Sequence, residues 1–343
     1  MTMRTIEWRD GTVLTIDQTK LPLKEVYLEM GSAKEVAKAI REMKIRGAPL
    51  LGAAAAFGLA LTAYHSKAQT KEKLLEELEA SADLIRSTRP TAVNLFWAIE
   101  RVLKKAKEKG ATVKEIAVEV VEEALRIADE DFEANHAIGR NGATLIHGDD
   151  TILTHCNAGA LATVGYGTAL GVIRAAAESG KKIRVIATET RPLLQGSRLT
   201  AFELSRDNIP VTLITDNMVG YIIGKGLVKE IIVGADRIVK DAVINKIGTL
   251  TIAVVAKRYG VPFYVAAPTS TFDLKHSSDQ VFIEERKGDE VTHFQKQVAP
   301  MNVAVINPAF DATPLELVSA IITERGVLKP PYGEAFKKIF EQA

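Results

Sequence analysis

From about residue 148 onward, short β-branched runs alternate with segments of helical periodicity. This alternation constrains the fold more than any other feature of the sequence. Strands are predicted at 151–155, 183–188, 211–215, 230–233, 262–266 and 303–306. Helices are predicted between most of them, at 161–178, 197–205, 218–225 and 249–259. Strand, helix and strand at this spacing predict an α/β segment, a parallel sheet with helices on both faces.

The first 145 residues follow a different pattern. Residues 5–30 predict short strands with turns at Asp10-Gly11 and around Leu21-Pro22. Apolar residues at three- and four-residue spacing then predict a run of amphipathic helices with charged outer faces. These helices are placed at 35–40, after Pro49, and at 73–86, 92–109 and 113–137. We therefore predict two domains, 1–145 and 146–343.

Composition and charge exclude several classes of protein. The 44 Lys and Arg residues nearly balance the 43 Asp and Glu residues, so no basic excess indicates a nucleic acid or membrane partner. One cysteine excludes an intramolecular disulfide and favours a reducing, cytoplasmic setting. The first twenty residues have no long apolar core, so no signal peptide is expected. Residues 48–64 are uncharged and rich in Ala and Gly, which we interpret as a buried helix rather than a membrane span.

Polar residues collect where the predicted strands end. In an open parallel sheet, ligands bind outside the carboxyl ends of the strands. The residues found there include a thiol, carboxylates, amides and hydroxyls. In chain order, the residues at these ends are Cys156, Asn157, Glu189, Thr190, Arg191, Gln195, Gly196, Asp216, Asn217, Gly234, Asp236, Arg237, Pro268, Thr269, Ser270 and Thr271. This set favours a small polar ligand over a purely structural domain.

Cys156, the single cysteine, is the candidate with the most distinctive position. We expect a helix to begin near Ala160, and a helix amino end favours a thiolate. His155 is predicted to face away, because neighbouring residues on a strand point to opposite faces. Asp236 is the best remote carboxylate partner. The alternatives stay open here: Cys156 as a buried spectator, and Asp236 as a loop cap or a partner of Arg237.

Two arginines precede predicted helices in the first domain. Arg46 stands ahead of Gly47, Ala48 and Pro49, and Arg89 opens a similar segment. Free amides at a helix start together with a guanidinium form an anion site, so we expect a phosphate pocket in a cleft facing the polar rim. The alternative for each arginine, taken singly, is a structural role in which it caps a helix or forms a salt bridge.

The glycine run from Gly165 to Gly171 is one residue too long for a dinucleotide fingerprint and lies too far beyond its strand. We expect these glycines to let a helix pack closely on the sheet. The six histidines are scattered, and no CxxC or HExxH spacing predicts a metal.

Ordered motifs along nearly the whole chain resemble the methylthioribose-1-phosphate isomerase family, methionine-salvage enzymes related to the regulatory subunits of translation initiation factor 2B. The motifs in this sequence are Arg46-Gly47-Ala48-Pro49, Thr88-Arg89-Pro90-Thr91-Ala92-Val93-Asn94-Leu95, Thr154-His155-Cys156-Asn157-Ala158-Gly159, Glu189-Thr190-Arg191-Pro192, Leu194-Gln195-Gly196, Asp216-Asn217, Val233-Gly234-Ala235-Asp236-Arg237, Asn245-Lys246-Ile247-Gly248-Thr249, Ile283-Glu284-Glu285-Arg286 and Asn307-Pro308-Ala309-Phe310-Asp311.

The resemblance implies a helical N-terminal domain with a small antiparallel sheet, then a Rossmann-like domain with a mostly parallel sheet. It implies a cytoplasmic homodimer that acts on a sugar phosphate without a cofactor or a metal. The implied reaction is an aldose–ketose isomerisation of 5-methylthioribose 1-phosphate to 5-methylthioribulose 1-phosphate. By matching motif, Cys156 and Asp236 are the implied catalytic pair. The implied substrate-binding residues are Arg46, Gly47, Ala48, Arg89, Gln195, Asn245 and Lys246.

The chain also departs from the family pattern. Val239-Lys240-Asp241-Ala242 replaces the usual Asn-Gly-Asp loop, Phe294-Gln295-Lys296 stands near the place of a Cys-Gly-Gly stretch, and Phe202 replaces a tryptophan. These changes leave the substituent at C5 of the sugar open. Isomerases of 5-deoxyribose 1-phosphate or ribose 1,5-bisphosphate remain alternatives. An alternative of another class is a non-catalytic regulatory subunit that senses sugar phosphates.

Overall fold

The structure is a computed structural model, and it describes residues 4–108, 112–300 and 302–341. Contacts divide the chain into two compact units. The first unit comprises Met1–His136 and Gly159–Gly167, and the second comprises Ala137–Ala158 and Thr168–Ala343. The domain division at 145 stays a prediction, and Lys109, the predicted end of one helix, lies outside the described residues.

The first unit contains the small sheet and most of the helices. Its strands are β1 (Ile6–Arg9), β2 (Thr12–Ile16) and β3 (Tyr27–Met30), which pair antiparallel in the order β1-β2-β3. Its helices are α1 (Ala33–Arg41), α2 (Ala48–His65), α3 (Lys71–Arg86), α4 (Val93–Ala106) and α5 (Val113–Ala143), and the last turns of α5 belong to the second unit. The turn predicted at Asp10-Gly11 joins β1 to β2.

Helix α2 is the central element of the first unit's core. Alanine and glycine occupy nine of its eighteen positions, and fourteen of its residues are buried. Side chains this small let neighbouring helices approach on all sides. Among the described residues, α2 alone is long and apolar enough to cross a membrane, and 78% of its 18-residue window is buried inside the protein. Burial of this helix in a core is the predicted arrangement.

The second unit is built on a seven-stranded sheet. The remaining strands are β4 (Thr151–Thr154), β5 (Arg184–Thr188), β6 (Val211–Ile214), β7 (Glu230–Val233), β8 (Arg237–Ile238), β9 (Ala242–Lys246), β10 (Phe263–Ala266), β11 (His293–Phe294), β12 (Lys296–Gln297), β13 (Phe310–Pro314), β14 (Ala320–Thr323) and β15 (Gly326–Leu328). The remaining helices are α6 (Ala169–Glu178), α7 (Ala201–Arg206), α8 (Val219–Gly224), α9 (Thr249–Tyr259), α10 (Asp289–Thr292) and α11 (Tyr332–Glu341).

Strand order in this sheet is β15-β14-β10-β7-β4-β5-β6, and only the β14–β15 pair is antiparallel. From β4 the chain proceeds outward through β5 and β6, then returns to the other side of β4 for β7, β10 and β14. The predicted fold class, an α/β chain with a small antiparallel sheet and a larger, mostly parallel sheet, is confirmed. Strands β8, β9 and β13 form a separate antiparallel sheet in the order β13-β9-β8.

One predicted strand is wrong. Residues 303–306 form no strand, and Val303 and Ile306 are 48% and 85% exposed. The place beside β10 is taken by β14, whose four residues are all buried. An apolar run gains from pairing in a sheet interior only where both faces are covered, and the run at 303–306 is not covered.

One predicted helix begins later than expected. Instead of one helix over 161–178, a 3₁₀ turn at Ala160–Ala162 is followed by a loop, and α6 begins at Ala169. Irregular backbone therefore lies between the carboxyl end of β4 and the start of α6. The helices predicted at 197–205 and 218–225 are confirmed: a π-helical turn at Gly196–Thr200 runs directly into α7, and α8 follows a 3₁₀ turn at Asp216–Met218.

Candidate active site

The order of strands in the seven-stranded sheet reverses at β4. Strand β5 pairs with one edge of β4 and β7 pairs with the other, both parallel to it. Connections from β4 and from β7 therefore leave in opposite directions, which opens a crevice at their carboxyl ends. Cys156 follows the end of β4 and Asp236 follows the end of β7. The two candidate catalytic residues thus come from the two strands that border the reversal.

Cys156 has an unusual backbone conformation. Its φ is +63°, in the left-handed region that residues other than glycine rarely adopt. Its N–H donates to Oγ1 of Thr190 at 2.9 Å, and its carbonyl accepts from Oγ1 of Thr200 at 2.6 Å. Both threonines belong to the segment after β5, so that segment holds the Cys156 backbone from both sides. Strain of this kind costs about 1–3 kcal/mol and persists only where surrounding bonds enforce it.

Asp216, at the end of β6, in turn fixes the Thr190 segment. One carboxylate oxygen of Asp216 accepts from the N–H of Thr190 at 2.8 Å, and the other accepts from the N–H of Arg191 at 2.7 Å. Hydrogen bonds to a charged acceptor are the stronger kind. The loops after β4, β5 and β6 are therefore connected through Cys156, Thr190 and Asp216.

His155 is buried and binds two further segments. Its Nε2 lies 2.8 Å from the carbonyl oxygen of Ile247, and its Nδ1 lies 2.6 Å from Oγ1 of Thr188. A carbonyl only accepts, so Nε2 carries a hydrogen and the neutral ring accepts at Nδ1. Burial lowers the pKa of His155. The ring therefore serves as a neutral link between β5 and the segment after β9.

Asp236, Asn245 and Lys246 belong to the small sheet of the second unit. The Asp236 N–H donates to the carbonyl of Ile244 at 3.0 Å, which joins the start of the β8–β9 hairpin to β9. Asn245 and Lys246 end β9, and both are buried, at 5% and 7% exposure. The hairpin thus brings these three candidates together through paired backbone.

The side chains of Asn245 and Lys246 contact residues from neighbouring segments. Nδ2 of Asn245 donates to Oγ1 of Thr249 at 3.0 Å, and Nζ of Lys246 donates to the carbonyl of Ala309 at 2.8 Å. The Lys246 ammonium also lies 4.9 Å from the centre of the Phe310 ring. These contacts fix a buried amide and a buried cation at the end of β9.

Asp311, which pairs with Asn245 across β9 and β13, caps the start of α9. Its two carboxylate oxygens accept from the N–H groups of Gly248 at 2.7 Å and Leu250 at 3.1 Å. Burial raises the pKa of Asp311 to about 6, although those two donors favour its charged form.

Gln195 presents an unsatisfied buried acceptor. The residue is 4% exposed, and its Oε1 has no hydrogen-bond partner among the residues that the structure describes. Gly196, which follows, packs so closely that a Cβ there would overlap the carbonyl oxygen of Thr188. A buried acceptor without a donor is costly, so this arrangement suits a ligand that supplies the donor.

The other four candidates belong to the first unit. Gly47 has φ +102°, and a Cβ on it would lie 2.5 Å from Cα of Ala162. It is the N-cap of α2, and as a glycine it has no side chain that could accept from the amides of the first turn. Arg46, 9% exposed, directly precedes this helix start. Nη1 of Arg89 lies 3.2 Å from Sδ of Met43.

The helix expected to begin near Ala160 is only a three-residue 3₁₀ turn, and α6 begins at Ala169, so the long helix expected to favour a thiolate does not begin beside Cys156. What distinguishes Cys156 is instead its φ and the two threonines that hold it. Neither Thr190 nor Thr200 was assigned this role from the sequence. Hydroxyl residues in the segment after β5 were the available signal, but only the strand order shows which loop they meet.

Comparison with known proteins adds a finding independent of this geometry. Residues 44–330 match the initiation factor 2 subunit family. The chain belongs to this family. A family member from Thermosipho melanesiensis, named methylthioribose-1-phosphate isomerase, is 55% identical over 341 residues, with 98% of each chain covered. The resemblance inferred from the sequence motifs is therefore confirmed.

Solved structures of family members carry two different names. The crystal structure of 5-methylthioribose 1-phosphate isomerase from Pyrococcus horikoshii is 46% identical, with a TM-score of 0.93 and coverage of 99% of this chain and 96% of that one. The crystal structure of translation initiation factor eIF-2B subunit delta from A. fulgidus is 54% identical, with a TM-score of 0.89 and 99% coverage of both chains. Sequence identity to these two structures does not distinguish an isomerase from an initiation factor subunit. The residues of the site have to make that distinction.

Proposed function

We propose that this chain is an aldose–ketose isomerase that converts 5-methylthioribose 1-phosphate to 5-methylthioribulose 1-phosphate, a methionine-salvage reaction. The observation that carries the proposal is the position of Cys156 and Asp236 after β4 and β7, where the strand order reverses. The names of the full-length relatives support the same activity. A regulatory subunit has no need of an acid–base pair at that position.

The chemistry requires an acid and a base. The phosphate on C1 blocks ordinary ring opening. A protonated Asp236 therefore gives its proton to the ring oxygen as the bond between C1 and that ring oxygen breaks, and the phosphate stays on C1. The Cys156 thiolate then removes the proton from C2, and the electron pair forms the C1–C2 double bond of an enol. Loss of the O2 proton to Asp236 and return of the Cys156 proton to C1 complete the ketose. Both residues end in their starting states.

Remaining candidates would hold the substrate. Gln195, Asn245 and Lys246 offer amide and ammonium groups in the second unit, and the unsatisfied Oε1 of Gln195 suits a sugar hydroxyl. Arg46, Gly47, Ala48 and Arg89 offer guanidinium and backbone N–H groups in the first, which suit phosphate. The homodimer and cytoplasmic location remain part of the proposal.

The decisive experiment compares turnover of methylthioribose 1-phosphate, 5-deoxyribose 1-phosphate and ribose 1,5-bisphosphate by the purified chain. We expect the first to have the highest kcat/KM. A higher value for either of the others would reassign the substrate. Binding of sugar phosphates without turnover of any would support the regulatory alternative.

Two substitutions test the catalytic pair. We expect Cys156→Ser to lower kcat by at least about a hundredfold, because the hydroxyl is a far weaker acid than the thiol. We expect Asp236→Asn to abolish turnover and largely retain sugar-phosphate binding. Asp289→Asn, an exposed aspartate, is the matched control and should leave kcat unchanged. Near-normal kcat in either catalytic variant would remove that residue from the mechanism.

The proton-transfer route competes with a hydride shift from C2 to C1. In deuterated water, a thiol that exchanges with solvent places deuterium at C1 of the product, whereas a hydride shift places none. Mass spectrometry of the ketose phosphate measures this directly. We expect deuterium at C1 with the wild-type chain.

A further inference from the structure

Strands β4 and β7 carry a second polar cluster at their opposite, amino-terminal ends. Asp150 directly precedes β4, Glu230 opens β7, and Glu230 pairs with Ile152 across the two strands. His147 lies three residues before Asp150. One possible ligand atom from each of His147, Asp150 and Glu230 lies within 4.8 Å of the other two. This cluster takes no part in the isomerase site, which lies at the carboxyl ends of the same strands.

Glu230 is the unusual member of this cluster. The residue is 3% exposed, and its Oε1 has no hydrogen-bond partner among the described residues. A buried carboxylate beside a second carboxylate is energetically costly unless a cation or a proton compensates. The ammonium group of Lys181 is nearby, but it is not the main compensating cation for Glu230. Its Nζ instead donates to the carbonyls of Ala143 and Ile146 at 2.6 Å each.

The other two members are arranged to complete a site. Oδ2 of Asp150 accepts from the backbone N–H of His147 at 2.9 Å, which closes the turn formed by residues 147–150. The His147 side chain is 84% exposed, and its Nδ1 lies 3.8 Å from Oδ2 of Asp150. An exposed imidazole above a buried carboxylate gives a cation a route from solvent.

We propose that His147, Asp150 and Glu230 bind a divalent transition-metal cation of the zinc class. One imidazole and two carboxylates are a donor set that Zn²⁺ accepts, with water at a fourth position. Small movements of the exposed His147 ring would bring the donors to the distance of about 2.0–2.2 Å that zinc requires. The cation would join the turn before β4 to the start of β7 and offset the buried charge of Glu230.

A proton is the competing occupant. Burial and the neighbouring Asp150 raise the pKa of Glu230 to about 8 in the absence of a metal. Calorimetry with ZnCl₂ at pH 8 on the full chain, stripped with a chelator beforehand, distinguishes the two. We expect one site per chain for Zn²⁺ and at least about tenfold weaker binding of Mg²⁺, which prefers an all-oxygen octahedral set.

Three variants locate the site. Glu230→Gln and His147→Ala should each weaken zinc binding by at least about tenfold. His276→Ala is the matched control, because His276 is also exposed and lies 2.9 Å from a carboxylate, Asp273, but belongs to no group of three possible ligands within the part of the chain that the structure describes. It should bind zinc as the wild type does.

Absence of zinc binding to the wild type would overturn the proposal. The occupant of the cluster would then be a proton shared by Glu230 and Asp150. Equal binding by the wild type and both site variants would also overturn it, and loss of that binding in Cys156→Ser would show that the thiol is the ligand instead. If Glu230→Gln fails to fold, His147→Ala decides, since its exposed side chain has little packing to lose. None of these outcomes depends on isomerase activity.

Discussion

The conformation of Cys156 makes an unusual prediction about side-chain size. Glycine normally destabilises a folded chain relative to alanine by about 0.5–1 kcal/mol. At φ +63° the order reverses, because alanine keeps the strain and glycine does not. We expect Cys156→Gly to unfold at a higher urea midpoint than Cys156→Ala, by about 1 kcal/mol in the free energy of unfolding. Equal stabilities would mean that the backbone relaxes when the thiol is removed.

Asp216 is predicted to act on the reaction through Cys156. In Asp216→Asn, one of the two acceptors facing the N–H groups of Thr190 and Arg191 becomes a donor. The lost bond costs about 1.5–3 kcal/mol and loosens the segment that holds Cys156. We expect kcat to fall more than tenfold while KM changes little. The same Asp289→Asn control applies, and an unchanged kcat would show that Asp216 only stabilises the loop.

For single residues, the sequence predicts the place along the chain better than the hydrogen-bond partners. Cys156 and Asp236 were placed correctly at the ends of strands, because β-branched runs locate those ends. The links through Thr190, Thr200 and Asp216 could not be predicted, because they join loops whose neighbours depend on strand order. The roles of all nine candidate site residues stay predictions.

Among the elements, the segment after β5 is the most tightly constrained. Gly196 begins its π-helical turn, and a Cβ there overlaps the backbone of β5 at Thr188. We expect Gly196→Ala to lower the free energy of unfolding by at least about 2 kcal/mol, since backbone cannot yield as a side chain can. Gly220→Ala in α8, where the added Cβ meets open space, is the control and should stabilise slightly. Similar effects at the two glycines would contradict this packing.

Element prediction succeeded where periodicity and burial agree. Strand β7 and helix α9 have the predicted bounds: β7 is a continuous buried run, and α9 has buried residues at helical spacing. The run at 303–306 has strand-like residues without burial, whereas Ala320–Thr323 are as apolar and form the buried strand β14, which the pattern does not predict. Periodicity alone does not report which of two short apolar runs the sheet covers.

For the whole molecule, the buried Glu230 predicts how stability changes with pH. Its pKa is about 8 when folded and near 4.5 when exposed, so between these values the folded chain binds the extra proton. Stability from this residue is therefore present below about pH 4.5 and is lost as pH rises through 8. With a chelator present, we expect the free energy of unfolding of Glu230→Gln to exceed that of the wild type by about 3 kcal/mol at pH 8.5. At pH 5 the difference should be much smaller. Urea titrations at both pH values measure this, and a constant difference would contradict it.

The segment Gly159–Gly167 has a consequence for how the chain acquires its structure. It follows β4 in sequence, yet it packs with the first unit: Thr5 donates to the carbonyl of Val164, and Nε2 of Gln18 donates to the carbonyl of Leu161. When only residues 1–145 have emerged from the ribosome, the core of the first unit is therefore still incomplete. Completion of the first unit waits for the first strand of the second, so a fragment cut at residue 145 should aggregate or remain unfolded, whereas one that continues to residue 167 carries every piece.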